Sequence, residues 1–137
     1  MFRVAYRSTL DSGVGEAEIE SIATQAAQKN AQAGITGVWL LDGRRCLSAI
    51  EGDPREIRQV IETIWDDPRH GAFTLLDVGA SEISLFTSPF QLIRSQSVVA
   101  DPAVLEHPGV RWLCDFAGGA DAFFFGGSAQ SHTDTKG

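Results

Sequence analysis

The sequence predicts an α+β domain built on a ferredoxin-like antiparallel sheet, β-α-β-β-α-β plus an edge strand, with two helices on one face and short C-terminal helices. Two stretches with three-and-four apolar spacing are interleaved with short stretches of period-two alternation, as helices and half-buried strands require. The tripeptide Asp42-Gly43-Arg44 joins two apolar runs as a tight hairpin, so they should pair antiparallel. At 137 residues the chain has the length of one domain, for which about 100–150 residues is the commonest size.

Phe2 to Ser8 alternates as a strand with one buried side, placing Phe2, Val4 and Tyr6 inward and Arg3, Ala5 and Arg7 outward. A glycine-containing loop leads to a helix that is acidic at its start (Glu16, Glu18, Glu20) and ends at Gly34. Its apolar stripe, Ile19, Ile22, Ala23 and Ala26, continues to Asn30 and Ala33. An inward carboxamide costs about 1–3 kcal/mol if unsatisfied, so Asn30 either bonds to backbone or meets a polar ligand; the residues alone favour backbone.

Ile35 to Leu41 and Arg45 to Glu51 form the hairpin strands, with Cys46, Ser48 and Ile50 on one face of the second. Asp53-Pro54 then opens a second helix with the stripe Ile57, Val60, Ile61 and Ile64, which stops near Asp67-Pro68. Phe73 to Val78 reads as a fourth strand. Leu85 to Ile93 reads as a weaker fifth one, which Pro89 confines to an edge or a bulge. Asp101 to His107 and Val110 to Phe116 are expected as short helices on the other sheet face, with Phe123-Phe124-Phe125 packed rather than free.

A net charge of −7 and a pI near 4.8, with arginines that form no run, exclude a nucleic-acid surface and leave room for a local anion site of one or two arginines. No stretch approaches the roughly 20 apolar residues of a membrane span. The N-terminus lacks the apolar region of a signal peptide, so the expected location is cytoplasmic. Cys46 and Cys114 have no metal-spaced companions and read as reduced, partly buried thiols; no metal is expected. None of His70, His107 and His132 has a motif-spaced partner, and no paired carboxylates or nucleophile triad point to an enzyme.

Four local patterns occur in order on matching elements: Tyr6-Arg7-Ser8, Asn30-Ala31-Gln32-Ala33-Gly34-Ile35-Thr36-Gly37, Ile50-Glu51-Gly52 and Asp67-Pro68-Arg69-His70. Together they resemble the BLUF family of flavin-binding blue-light sensors, over roughly Phe2 to Ile93. The resemblance implies FAD, with FMN as the alternative, lying between the two helices. It also implies that Tyr6 is the phenol beside the ring and Asn30 the amide reading its polar edge, where a carboxamide can both donate and accept. Arg69 and His70 correspond to a basic pair facing the flavin, although solvated cations near a helix end are equally ordinary. Lys29 fills a position where the family often has a basic or polar residue.

Ser48 stands where the family has the glutamine whose rearrangement follows light-driven electron and proton transfer from the tyrosine. A serine hydroxyl is too short to replace that amide and has no amide to flip, so altered or absent photochemistry is expected. Pro89-Phe90-Gln91 replaces the family's Trp-Ser-Met, and Gln91 is the remaining amide nearby, disfavoured as a substitute.

The expected function is therefore a flavin-binding sensory domain over residues 1–95, with a helical extension over 96–125 and a mobile tail over 126–137. The alternative is a flavin-free protein-interaction module of the same fold. With no output domain in the sequence, a signal should pass to a separate effector protein or within a homo-oligomer, with neither nucleic acid nor membrane as partner.

Overall fold

A computed structural model describes residues 1–126 of the chain. Along them run β1 (Phe2–Leu10), α1 (Glu16–Ala33), β2 (Thr36–Asp42), β3 (Arg45–Gly52), α2 (Pro54–Trp65), β4 (His70–Ala80), β5 (Gln91–Arg94), α3 (Ser95–Ala100), a 3-10 turn (Pro102–Glu106), α4 (Pro108–Asp115) and a π turn (Ala122–Gly126). The five strands lie in the order β4-β1-β3-β2-β5. Every pairing is antiparallel except that of β5 with β2, which is parallel. The α+β, ferredoxin-like class is present, with one parallel edge pairing added to the antiparallel sheet.

Local chemistry accounts for the element ends that frame the cleft described below. α1 closes on Gly34 in left-handed backbone (φ 70°), which lets Ile35 N–H reach Asn30 O at 2.8 Å and turns the chain straight into β2. Asp53 caps α2 by accepting from Arg55 N–H at 2.9 Å, with Pro54 at the first helical position, where no N–H is needed. Gly37 permits a close approach: a Cβ there would lie 2.3 Å from Ala49 O, so no side chain fits between β2 and β3 at that level.

The sheet is covered on both faces. Towards α1 and α2 it packs Val4, Tyr6, Ile35, Ile50 and Ile57 in one cluster and Leu10, Ile19, Trp39, Leu41 and Cys46 in another. On the opposite face Ala5, Leu40, Leu47 and Ala49 pack with Val98, Val110, Leu113, Cys114, Phe123 and Phe124. β1 therefore does not have the single buried side that its alternation suggested: Ala5 is fully buried because the C-terminal helices lie over it. The expected packing of the phenylalanine run holds for Phe123 and Phe124. The tail expected over 126–137 lies, past Gly126, outside the described residues.

The fifth strand is shorter and later than Leu85 to Ile93, spanning only Gln91–Arg94, and α3 follows it directly, ahead of the short helices expected from Asp101 onward. The cause is Glu51, which is 1% exposed at the end of β3. Its carboxylate accepts from Leu85 N–H (3.0 Å), Phe86 N–H (3.0 Å) and Ser84 Oγ (3.1 Å), and pairs with Arg3 at 2.6 Å. Backbone donors bound to a carboxylate are not available to a sheet ladder, and Pro89 has none to give. Residues 84–90 are thus a pinned loop, with Gly37 N–H donating to Ser88 O at 2.9 Å.

Two stability outcomes follow. Glu51→Ala leaves buried N–H groups and Arg3 without their acceptor and should cost about 3–5 kcal/mol, read as a lower urea midpoint with an unchanged slope. Gly37→Ala should cost roughly 1–3 kcal/mol by overpacking against backbone.

Candidate functional site

A cleft of about 170 Å³ lies between α1 and α2 over the sheet. α1 lines it with Ile22, Gln25, Ala26, Lys29 and Asn30, and α2 with Val60, Thr63 and Ile64. Its floor is a row across three neighbouring strands, because Tyr6 of β1 pairs with Ser48 of β3 and Ser48 pairs with Trp39 of β2. Directly opposed residues project to the same face of a sheet, so a short hydroxyl lies between two large aromatic side chains.

All six residues singled out from the sequence, Tyr6, Lys29, Asn30, Ser48, Arg69 and His70, line this one cleft. Tyr6 is buried and stacked on Phe73, with ring centroids 5.2 Å apart. Burial raises its phenol well above the ordinary value, hydrogen bonding to Ser48 opposes this, and the nearby Cys46 adds to the rise. Asn30 is 3% exposed and donates through Nδ2 to Pro89 O at 3.0 Å, a backbone partner from the pinned loop rather than from its own helix end. Its Oδ1 accepts no hydrogen bond from the described residues.

Arg69 and His70 are not equivalent cations. The Arg69 guanidinium is held by Asp67, with Nη2 to Oδ2 at 2.6 Å, and reaches Glu18 on α1 at 3.6 Å. This hydrogen bonding holds the Asp67 carboxyl below its usual range, and the arginine's charge is matched before any ligand arrives. His70 Nδ1 lies 3.2 Å from Ser8 Oγ. Burial is the main cause lowering its pKa from 6.5; Asp67 opposes the shift and Arg69 adds to it. Lys29 is exposed at the rim.

Gln91 is not the substitute amide: it is exposed and lines a separate cavity with Ser88, Asp101 and His107, whereas Phe90 takes the cleft position. Phe90 stacks on Trp39 at 6.2 Å and 20°. Trp39 was missed as a site residue although the signal was present. A hairpin turning at Gly43-Arg44 pairs Asp42 with Arg45 and hence Trp39 with Ser48. Phe90 had no such signal, because its position depends on the loop that Glu51 holds. Among the described residues no group of three or more His, Cys, Asp or Glu could hold a metal ion, and no helix is long and apolar enough to cross a membrane.

Solved structures share this architecture. BlrB, described as a BLUF protein in its dark state, aligns with a TM-score of 0.69 at 24% identity over 77% of this chain and 80% of its own. Klebsiella pneumoniae BlrP1 with FMN and cyclic diGMP aligns at 0.69 and 23% identity over 77% of this chain, but over only 28% of its own. A bacterial light-regulated adenylyl cyclase aligns at 0.68 and 20% identity, over 77% of this chain and 33% of its own.

In sequence, the Escherichia coli blue light- and temperature-regulated antirepressor BluF is 29% identical over 65 residues, which are 47% of this chain and 16% of that protein. Residues 1–88 match the profile of BLUF, sensors of blue-light using FAD. The chain belongs to the BLUF family.

The lowered His70 pKa sets a pH dependence. The folded state binds fewer protons at this site than the unfolded state, so this group's contribution to stability is present above pH 6.5 and is lost as the pH falls from there through the lowered value. Urea titrations across that interval should show stability rising with pH, and a flatter profile in His70→Gln.

Proposed function

We propose that this chain is a flavin-binding sensory domain whose cleft takes FAD, with FMN as the alternative, and whose light response is altered because Ser48 occupies the floor position between Tyr6 and Trp39. The convergence of Tyr6, Asn30 and Ser48 on one cleft between the two helices carries the reading. Its donor set fits the group. The polar edge of an isoalloxazine alternates donors and acceptors, and Asn30 offers a free Oδ1 acceptor while its Nδ2 is held by Pro89 O. The Tyr6 and Ser48 hydroxyls can each donate or accept, and the walls of Ile22, Ala26, Val60 and Ile64 suit a flat ring.

When bound, flavin supplies the absorption of blue light and a site for one-electron chemistry. The chain's own residues then have distinct tasks. Asn30 orients the polar edge, and the Tyr6 phenol holds its proton against Ser48. His70, neutral at pH 7 because burial disfavours its charged form, keeps a hydrogen bond with Ser8. Arg69, already paired with Asp67 and Glu18, ties α1 to the start of β4 and closes that end of the cleft. Lys29 at the rim is the cation free to meet the ribityl-phosphate side.

On this reading residues 1–95 are the flavin domain and 96–125 a helical cover. The domain is non-catalytic and cytoplasmic, and it signals to an effector protein through a homo-oligomer or a noncovalent surface. The alternative is a flavin-free protein-interaction module of the same fold; an open cleft between the helices that keeps the polar groups of Tyr6, Asn30 and Ser48 beside its aromatic side chains favours the flavin reading.

Absorption spectroscopy tests this. Protein reconstituted with FAD should show a bound-flavin spectrum, with affinity reduced about 10-fold or more in Asn30→Ala, the loss of one buried hydrogen bond. No bound flavin in the native chain would sink the reading. Ser48→Gln should keep flavin and gain a blue-light red shift, of whatever yield, that the native protein lacks; a full red shift in the native protein would show that Ser48 does not disable the switch.

A further inference from the structure

We propose that Trp39 is the principal electron donor to excited flavin in this cleft, giving up one electron and taking it back, so that absorbed light is returned as heat without a proton moving. The proposal rests on the flavin reading above and adds a residue to it.

Trp39 is 2% exposed and lines the cleft, flanking Ser48 on the side opposite Tyr6. The Phe90 stack fixes its ring. Its Nε1 is, among the described residues, the buried side-chain nitrogen or oxygen with no hydrogen-bond partner. The group it influences is the Cys46 thiol, a weak acceptor that burial keeps protonated by raising its pKa. An N–H left so poorly satisfied inside a protein is costly to desolvate.

Two oxidisable aromatic rings therefore border one short serine, and their chemistry differs. An indole can lose an electron and keep its N–H proton. A phenol becomes so acidic on oxidation that electron loss needs a proton acceptor alongside. Beside Tyr6 lie the Ser48 hydroxyl and the Cys46 thiol, neither of which is a base, and its buried phenol holds its proton more tightly than in water. The balance for Trp39 is simple: the light-excited ring takes one electron from the indole, which becomes a radical cation with Nε1–H intact because the Cys46 thiol cannot accept the proton. The same electron then returns, and no bond is made or broken.

Trp65, 65% exposed and in edge contact with Phe73, does not line the cleft and serves as the control. In the FAD-loaded full chain, the flavin fluorescence lifetime should be short, should lengthen several-fold in Trp39→Phe, and should change little in Tyr6→Phe or Trp65→Phe. Transient absorption of the native protein should show an indole radical cation rather than a phenoxyl radical, which decides the matter even if Trp39→Phe folds poorly. A phenoxyl signal, or a lifetime released by Tyr6→Phe and not by Trp39→Phe, overturns the proposal while leaving flavin binding intact. Failure to bind flavin at all overturns the parent reading and this one with it.

Discussion

The buried carboxylate of Glu51 is the constraint on which the cleft depends. One side chain at the end of β3 collects two backbone N–H groups, a serine hydroxyl and a guanidinium, and in doing so decides where residues 84–90 run. A buried carboxylate with fewer partners would be expensive, so the loop and the charge stabilise each other. From that anchor Ser88 O meets Gly37 N–H, Pro89 O meets Asn30 Nδ2 and Phe90 lies on Trp39. The same arginine that neutralises Glu51 lies 5.0 Å from the Trp112 ring of α4, linking the anchor to the C-terminal helices.

Around this frame the cleft divides its labour by position in the sheet. Tyr6, Ser48 and Trp39 form its floor because they are register partners on β1, β3 and β2, and their spacing is enforced by backbone hydrogen bonds rather than by their own side chains. The walls come from helices whose inner stripes are apolar, with Asn30 the one buried amide of α1. The central floor position is held by the short hydroxyl side chain of Ser48, 2% exposed between its two aromatic neighbours.

Much of this was legible beforehand where chemistry is local. The Asp53-Pro54 start of α2, the Gly34 end of α1, the hairpin at Asp42-Gly43-Arg44 and the inward side of Asn30 all follow from periodicity and capping. Even the pairing of Trp39 with Ser48 can be counted back from the turn. The loop 84–90 could not be read, because Leu85 and Phe86 look like strand residues until a distant carboxylate takes their N–H groups. Gln91 was ambiguous for the same reason, since a one-residue change of register moves a side chain to the other face.

By itself, then, the sequence determined the class of fold, the faces of its helices and hairpin, and the six residues that ended in one cleft. Only the tertiary structure decided that Asn30 spends its amide donor on Pro89, that Asp67 and Glu18 already engage Arg69, that Ala5 is buried under the C-terminal helices, and that Phe90 rather than Gln91 enters the cleft. The physical reason is range. Capping, turns and amphipathic stripes are settled within a few residues, whereas these outcomes depend on groups such as Asn30 and Pro89, 59 residues apart, meeting in a folded core.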